Sequence, residues 1–495
     1  MNLIRFDSAF QTHQLASRRG HFAYRSSGYV ITVRNLPYFH WFFLVALFSA
    51  FIFPARLSSA QSLLAPPASN VVNLVSKPGF FNEPSIAVNP RDPQQLVAAY
   101  QVPATAEYSL DAGQTWNRAA GTAPENYRVS GDVSVTYDNK GHAFLCYIAF
   151  DKLGSEDYWA RGATRNGIFV RRSPDGGKKW DKNPSIVISH PTKPSIPFED
   201  KPYIVADDTK GPYAGNLYVG WTQFTLTKSV ILFSRSTDDG QTWSAPIEIS
   251  SHEGLPRDDN GDVEGFSGAV APDGTLYAVW ADGDDIAFTF SKDGGETFAP
   301  STVILHNAPS YFKVHDVSRA NGFPQLAVDP KTGRLFVSWS DYRNGDVDVF
   351  VSTSIDRGAS WSPAMRVNSD SPHDGCDHFF QWLSVDPVTG DAYVIFYDRR
   401  GDTENRKTTV VLARSTDGGH SFQNYAWTDN PFDAHDDFIG DYTGIAAFGG
   451  RVYGIWAEEA LEKRAASARN SRSSVNAPSH RTIVRVGTAD FGEAQ

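Results

Sequence analysis

Cysteine and methionine are almost missing, at two of each in 495 residues. Two cysteines are too few for a disulfide-stapled scaffold or a cysteine-ligated metal cluster. Cys146 lies in the alternating stretch AFLCYIAF and Cys376 in a polar loop. A small buried hydrophobe and a loop thiol are therefore expected, since nothing in the spacing demands that they pair. A basic excess is missing too, with 45 Lys and Arg against 56 Asp and Glu. Residues 1–60 hold six Arg and one Asp, so without them the formal charge moves from −11 to −16. That charge excludes nucleic acid and anionic membranes as partners.

Long apolar runs are equally scarce. The most apolar one, residues 41–53, is too short for a comfortable membrane span. Arg18, Arg19, Arg25 and Arg34 precede it, and the small residues Ser58, Ser59 and Ala60 follow. This is the layout of a secretory signal. Residues 1–60 are expected to be cleaved, with an uncleaved anchor as the alternative, leaving a secreted or periplasmic protein. No stable membrane span should remain after cleavage, and a monomer is expected.

What the chain has in quantity is glycine and aromatic side chains: 40 Gly, 12 Trp, 20 Tyr and 33 Phe. That mixture suits many short strands joined by tight turns. Six boxes of the form S-x-D-x-G-x-[TSK]-[WF] begin at Ser109, Ser173, Ser236, Ser291, Ser354 and Ser415, spaced 55 to 64 residues apart. Interleaved with them are opening strands such as PSIAVNP, PQLAVDP and QWLSVDP, then a turn, then second strands such as LYVGW or LFVSW. A third strand, VILFSRS for example, runs into each box. Each unit is thus a meander of antiparallel strands with Gly- and Asp-bearing hairpins.

Seven opening strands can be counted, the last without a box. Radial repetition of four-stranded sheets is the economical packing, so an all-β, seven-bladed β-propeller is expected over residues 82–491, with six blades as the alternative. RTIVRVG (Arg481–Gly487) supplies a third strand to the last unit. VVNLVS (Val71–Ser76), in the leader of residues 61–81, is expected to return as its fourth. A polar low-complexity insertion at about 460–480 separates the two strands of that unit.

The box aspartates, Asp111, Asp175, Asp238, Asp293, Asp356 and Asp417, read as staples rather than catalysts. Each stands where a carboxylate accepts backbone N–H bonds across a hairpin while glycine takes positive φ. Strand parity puts all six on the face opposite the strand starts, and six acids spread round a ring do not converge on one substrate.

The other face collects the strand-opening residues. Glu83, Asp132, Asp200, Lys201, Glu264, Arg319, Trp382, Asp441 and Tyr442 fall there, and loops add Tyr311, Arg343 and Arg399. A funnel of carboxylates, arginines and aromatics suits a polar, sugar-like ligand, so a carbohydrate or glycoconjugate is the expected partner. Asp258, Asn260, Asp262 and Glu264 alternate in RDDNGDVEG, an oxygen pattern that suits calcium, although Val263 replaces the usual glycine. No cofactor is required, and a structural Ca2+ is the one considered. His373, His378 and His435 with nearby Asp form a second metal hint.

The boxes resemble those of the Asp-box (bacterial neuraminidase repeat) sialidase superfamily, over about residues 82 to 457. The resemblance implies a glycoside hydrolase, an exo-sialidase in the first instance, with a non-catalytic glycan- or protein-binding propeller as the alternative. GDYTGIAAFGGRVYGIWAE is similar to the family's last-blade segment, which puts Tyr442 at the nucleophile position. EGFSGAVAPDGTLYAVW is similar to the segment with the activating glutamate, here Glu264, and Asp132 is the candidate acid. Two landmark arginines are replaced: Asn82-Glu83-Pro84 stands for Arg-Ile-Pro, and ADGDD follows the second strand of unit four. Arg319, Arg343 and Arg399 are left to rebuild an anion site, with Asp441 and Trp382 beside it. Because Glu264 and Tyr442 lie nearly across the funnel, Glu83 in the adjoining unit is the alternative partner for Tyr442.

Overall fold

The computed structural model describes residues 63–492 apart from 76, 102, 120–126, 152–164, 192–196, 259, 429, 435–437 and 461–480. The expected signal, the insertion after residue 460, and His435 lie outside the described residues. Seven four-stranded antiparallel sheets form a ring, which is a seven-bladed propeller. Their innermost strands are Asn82–Val88, Val129–Tyr137, Phe198–Ala206, Val263–Val270, Gln325–Val328, His378–Val385 and Gly444–Phe448. Each touches the innermost strand of the next blade, and the seventh touches the first. Asn70–Asn73 pairs antiparallel with Thr482–Asp490 and is the outer strand of blade 7, so the two ends of the propeller share one sheet.

The boxes form the turn between the third and fourth strands of blades 1 to 6. In blade 3, Asp238 accepts from Ser236 Oγ (2.8 Å), Thr242 N (2.9 Å) and Thr242 Oγ1 (2.6 Å), while Ser236 Oγ accepts from Gly240 N (3.0 Å). The other five boxes repeat the Ser–Asp bond and the Gly–Ser bond. Lys140, in the first hairpin of blade 2, pairs with Asp239 in the box of blade 3 at 2.6 Å. Arg334, in the first hairpin of blade 5, donates to Gly418 O in the box of blade 6 at 2.5 Å. First hairpins and boxes therefore share the face away from the strand starts.

Each box aromatic packs into the apolar layer shared with the preceding blade: Trp180 between blades 1 and 2, Phe298 between 3 and 4, Phe422 between 5 and 6. Blade 7 has no box. Trp427 of blade 6 takes up that space, lying so close to Gly454 and Gly487 that a Cβ would meet its ring at 2.4 and 2.9 Å. Any larger residue at Gly454 would push the two blades apart. Cys146 is buried in the layer between blades 2 and 3, as expected, and Cys376 lies in its polar loop but is buried there too. Burial pushes the Cys376 thiol up to about 12, so it is unreactive at neutral pH.

A feature invisible in the repeat pattern sets up the centre of the ring. The innermost strands of blades 1, 2, 3, 4 and 6 each lose register for two residues near their start. The first residue of each gap is left-handed: Glu83 (φ 48°), Asp132 (φ 45°), Lys201 (φ 47°), Gly265 (φ 80°) and Phe380 (φ 53°). Such bulges re-aim a side chain at a cost of about 1 kcal/mol for each non-glycine. Where pairing resumes, Ser85, Ser134 and Ser267 accept the backbone N–H of Val135, Ile204 and Leu326 in the next blade, at 3.1, 3.2 and 3.0 Å. The bulges are thus pinned by inter-blade bonds.

Candidate functional site at the centre of the ring

The bulges and the loops beside them gather the charged residues round the channel. Glu83 and Asp132 come from neighbouring blades and are linked through Gln101. Its Nε2 donates to Glu83 and to Asn82 (2.8 Å), and its Oε1 accepts Asp132 N at 2.9 Å. Asp132 in turn accepts Lys201 N at 3.2 Å. Burial first, and then repulsion from Asp132, pushes both Glu83 and Asp200 well above the ordinary carboxylate range.

Asp441, at the entry to blade 7, is the hub. It accepts Arg319 Nε at 3.0 Å and Lys201 Nζ at 3.3 Å and also contacts Arg319 Nη2. Its carbonyl accepts Asn321 Nδ2 at 2.9 Å. Burial opposes ionisation there, but Arg319 and Lys201 prevail and hold the carboxyl below its usual value. The Lys201 ammonium is boxed by aromatic faces, 4.6 Å from the Phe323 ring and 5.0 Å from that of Tyr442. Tyr442 packs on Trp382 at 5.4 Å, and Trp382 on Tyr203 at 5.9 Å. These rings, with Phe266 and Gln381, line one cavity.

A second centre is joined to the first through Arg319. A short hairpin, Tyr311–Phe312 with Ala320–Asn321, joins blades 4 and 5 and carries Tyr311 and Arg319 inward. Tyr311 Oη donates to Glu264 at 3.0 Å and contacts Asp258, which Arg319 Nη1 also engages. Burial raises the Glu264 carboxyl well above its usual range, with repulsion from Asp258 and Asp262 adding to it. Burial, then the charges of Asp258 and Glu264, holds Tyr311 neutral. Tyr442 is likewise held neutral, by burial and then by the field of Glu83.

A sialidase of Bacteroides fragilis (strain YCH46) is 26% identical to this chain over 286 residues, 51% of the chain and 47% of that protein. This chain therefore spans about half the length of that curated relative. Among solved structures, the phage phi92 endosialidase superposes with a TM-score of 0.50 at 10% identity, covering 86% of this chain and 70% of that one. The chain is a sialidase-like β-propeller. Hadza microbial sialidase Hz136 also superposes, with a TM-score of 0.43 at 17% identity over 80% of this chain and 73% of that one. No protein-family model matches the sequence.

Not every residue proposed from the sequence reaches the centre of this sialidase-like propeller. Glu83, Asp132, Glu264, Arg319, Trp382, Asp441 and Tyr442 surround the channel. Arg343 instead forks onto its own neighbour Asp341, at 2.9 Å from Nε and 2.5 Å from Nη2, and lies over the Phe350 ring. Arg399 is buried and donates to the carbonyls of His315 (2.7 Å) and Asn405 (2.6 Å). Both are bound up in holding loops. Glu264 faces Tyr311 rather than Tyr442, a partner missed because only the fold of the hairpin brings them together.

Of the calcium set, Asp258, Asp262 and Glu264 can each bring an oxygen within 4.8 Å of the others, whereas Asn260 Oδ1 accepts Tyr311 N at 2.9 Å. A cation there competes with Arg319 for Asp258. Of the histidines, His378 is buried beside Asp348, Asp370 and Asp398, while His373 bonds the carbonyl of Asn344. The acids round His378 are already paired with Arg366 and Arg400.

Proposed function

We propose that this chain is an exported glycoside hydrolase working from the central funnel, with Tyr311 as its nucleophile and Glu264 as the base. The observation that carries this reading is the hydrogen bond from Tyr311 Oη to the buried Glu264, with Asp258 and Arg319 alongside. A neutral phenol attacks poorly, and a carboxylate within reach takes its proton as the bond to the anomeric carbon forms. The leaving oxygen must be protonated in the same step. Asp200 and Glu83, whose carboxyls burial and then Asp132 push above the ordinary range, are the candidates for that acid. Water then attacks the glycosyl-tyrosine, giving its proton to the carboxylate left behind and releasing the phenol, which regains its proton from Glu264. The layout of residues 18–60 supports export.

The test is turnover of a panel of 4-methylumbelliferyl glycosides by the wild type, Tyr311→Phe and Tyr442→Phe, each checked for an unchanged melting curve. A drop of about 1,000-fold or more in Tyr311→Phe alone is expected. Undiminished turnover in that variant removes Tyr311 as nucleophile. A loss confined to Tyr442→Phe hands the role to Tyr442, whose near carboxylate is Glu83. No turnover by any form favours a non-catalytic glycan-binding propeller. One observation already points that way, because Arg319 and Lys201 are engaged by the chain's own carboxylates.

A further inference from the structure

We infer that the funnel takes sugars without an acidic group, neutral or amino sugars, and turns acidic sugars away. The inference rests on the carbohydrate reading above and concerns the charge of the ligand, not the reaction.

An acidic sugar needs a cation with nitrogen atoms turned to it, ideally a guanidinium fork. Among the described residues, Arg319 and Lys201 are the cations whose contacts place them at the centre, and both are in use. All three Arg319 nitrogens face carboxylate oxygens, Nε and Nη2 on Asp441 and Nη1 on Asp258. The Lys201 ammonium is set on Asp441 and roofed by the rings of Phe323 and Tyr442. Arg343 and Arg399, which would otherwise complete an anion clamp, are tied to Asp341 and to backbone carbonyls.

Seven carboxyl groups surround these two cations: Glu83, Asp132, Asp200, Asp258, Asp262, Glu264 and Asp441, each within electrostatic range of another of the set. Counting Arg257, the chain neighbour of Asp258, as a third cation leaves the acids in the majority. Leaving Glu83, Asp200 and Glu264 out of the count does not change the balance, since Asp132, Asp258, Asp262 and Asp441 still outnumber the cations. A further anion would enter a negative, poorly solvated site. The same oxygens are acceptors for sugar hydroxyls and for an ammonium. Trp382 and Tyr203, which line the cavity, supply aromatic surface suited to the apolar side of a sugar ring.

The experiment measures binding and turnover on the same full-length protein. Tryptophan fluorescence and calorimetry read the binding of methyl glucoside, glucosamine and N-acetylneuraminic acid, and the matching 4-methylumbelliferyl glycosides read turnover. The neutral or amino sugar is expected to bind at least about tenfold more tightly than the acidic one. Asp258→Asn frees Arg319 Nη1 and should narrow that ratio by about tenfold. Preference for N-acetylneuraminic acid, in binding or turnover, overturns the inference while leaving the hydrolase reading intact. Binding of neutral or amino sugars without any turnover supports the inference and overturns the hydrolase reading. If no sugar of either kind binds or turns over, both are wrong.

Discussion

Asp441→Asn is the substitution that most directly tests how the centre is held together. In the wild type this carboxylate, buried in the channel, receives Nε and Nη2 of Arg319 and the ammonium of Lys201. Removing one partner of a buried ion pair costs about 3–5 kcal/mol. The amide oxygen of Asn still accepts a bond, and Asp258 still faces Arg319, so about 2 kcal/mol is the expected loss. With an unfolding entropy of about 2.1 cal/mol/K per residue, a propeller of this length changes by about 0.9 kcal/mol per degree, so Tm should fall by about 2 °C. The assay is thermal and urea unfolding of the wild type, Asp441→Asn, Arg319→Met and the double variant, which closes a double-mutant cycle. A coupling of about 1–2 kcal/mol is expected between Asp441 and Arg319.

The pH dependence has a definite sign. The Asp441 carboxyl is held below its usual value, so its contribution is present above the ordinary carboxylate pKa and disappears as pH falls through the folded value. The gap between wild type and Asp441→Asn should be steady from pH 6 to 8 and close below about pH 4. A gap that persists unchanged to pH 3, or single variants whose effects simply add, would refute the hub.

Glu83→Gln should behave in the opposite way. Burial and the neighbouring acids raise the Glu83 carboxyl, so the stability tied to its proton is full below the ordinary carboxylate pKa and is lost as pH rises through the folded value. The variant should therefore gain on the wild type from pH 5 to pH 9, by about 1.4 kcal/mol per pH unit at most, and a constant difference in melting curves would contradict this. Asp238→Ala, on the opposite face, removes the acceptor of the box bonds and should cost about 1–2 kcal/mol without changing ligand binding. A loss of glycoside binding or turnover out of proportion to that destabilisation would mean that the boxes do more than staple.

The architecture was legible because it repeats. Ser, Asp, Gly and an aromatic at fixed offsets encode one hairpin six times over, and alternation marks the strands between. Even the return of residues 70–73 to the last blade followed from counting strands. The centre was legible in kind but not in pairing. Whether Glu83 or Lys201 enters the channel depends on a two-residue loss of register, and a one-residue slip reverses every side chain after it. Periodicity carries no trace of that slip. The arginines misled for a related reason: Arg343 and Arg319 look alike in sequence, and only the path of the loop decides that one meets Asp341 and the other Asp258 and Asp441. Tyr311 went unassigned because its partner Glu264 lies 47 residues away, on the opposite side of a box.

The shared seventh sheet also dictates an order of events. Thr488 bonds the carbonyl of Asn70 across 418 positions of chain, and the central site draws Glu83 from the first blade and Asp441 and Tyr442 from the last. Synthesis runs from the amino end, so blade 1 must wait unclosed until residues 482–490, more than 400 positions later, have emerged. No product that stops short of blade 7 can assemble the channel. Whatever chemistry the funnel performs is withheld from every unfinished copy of the protein.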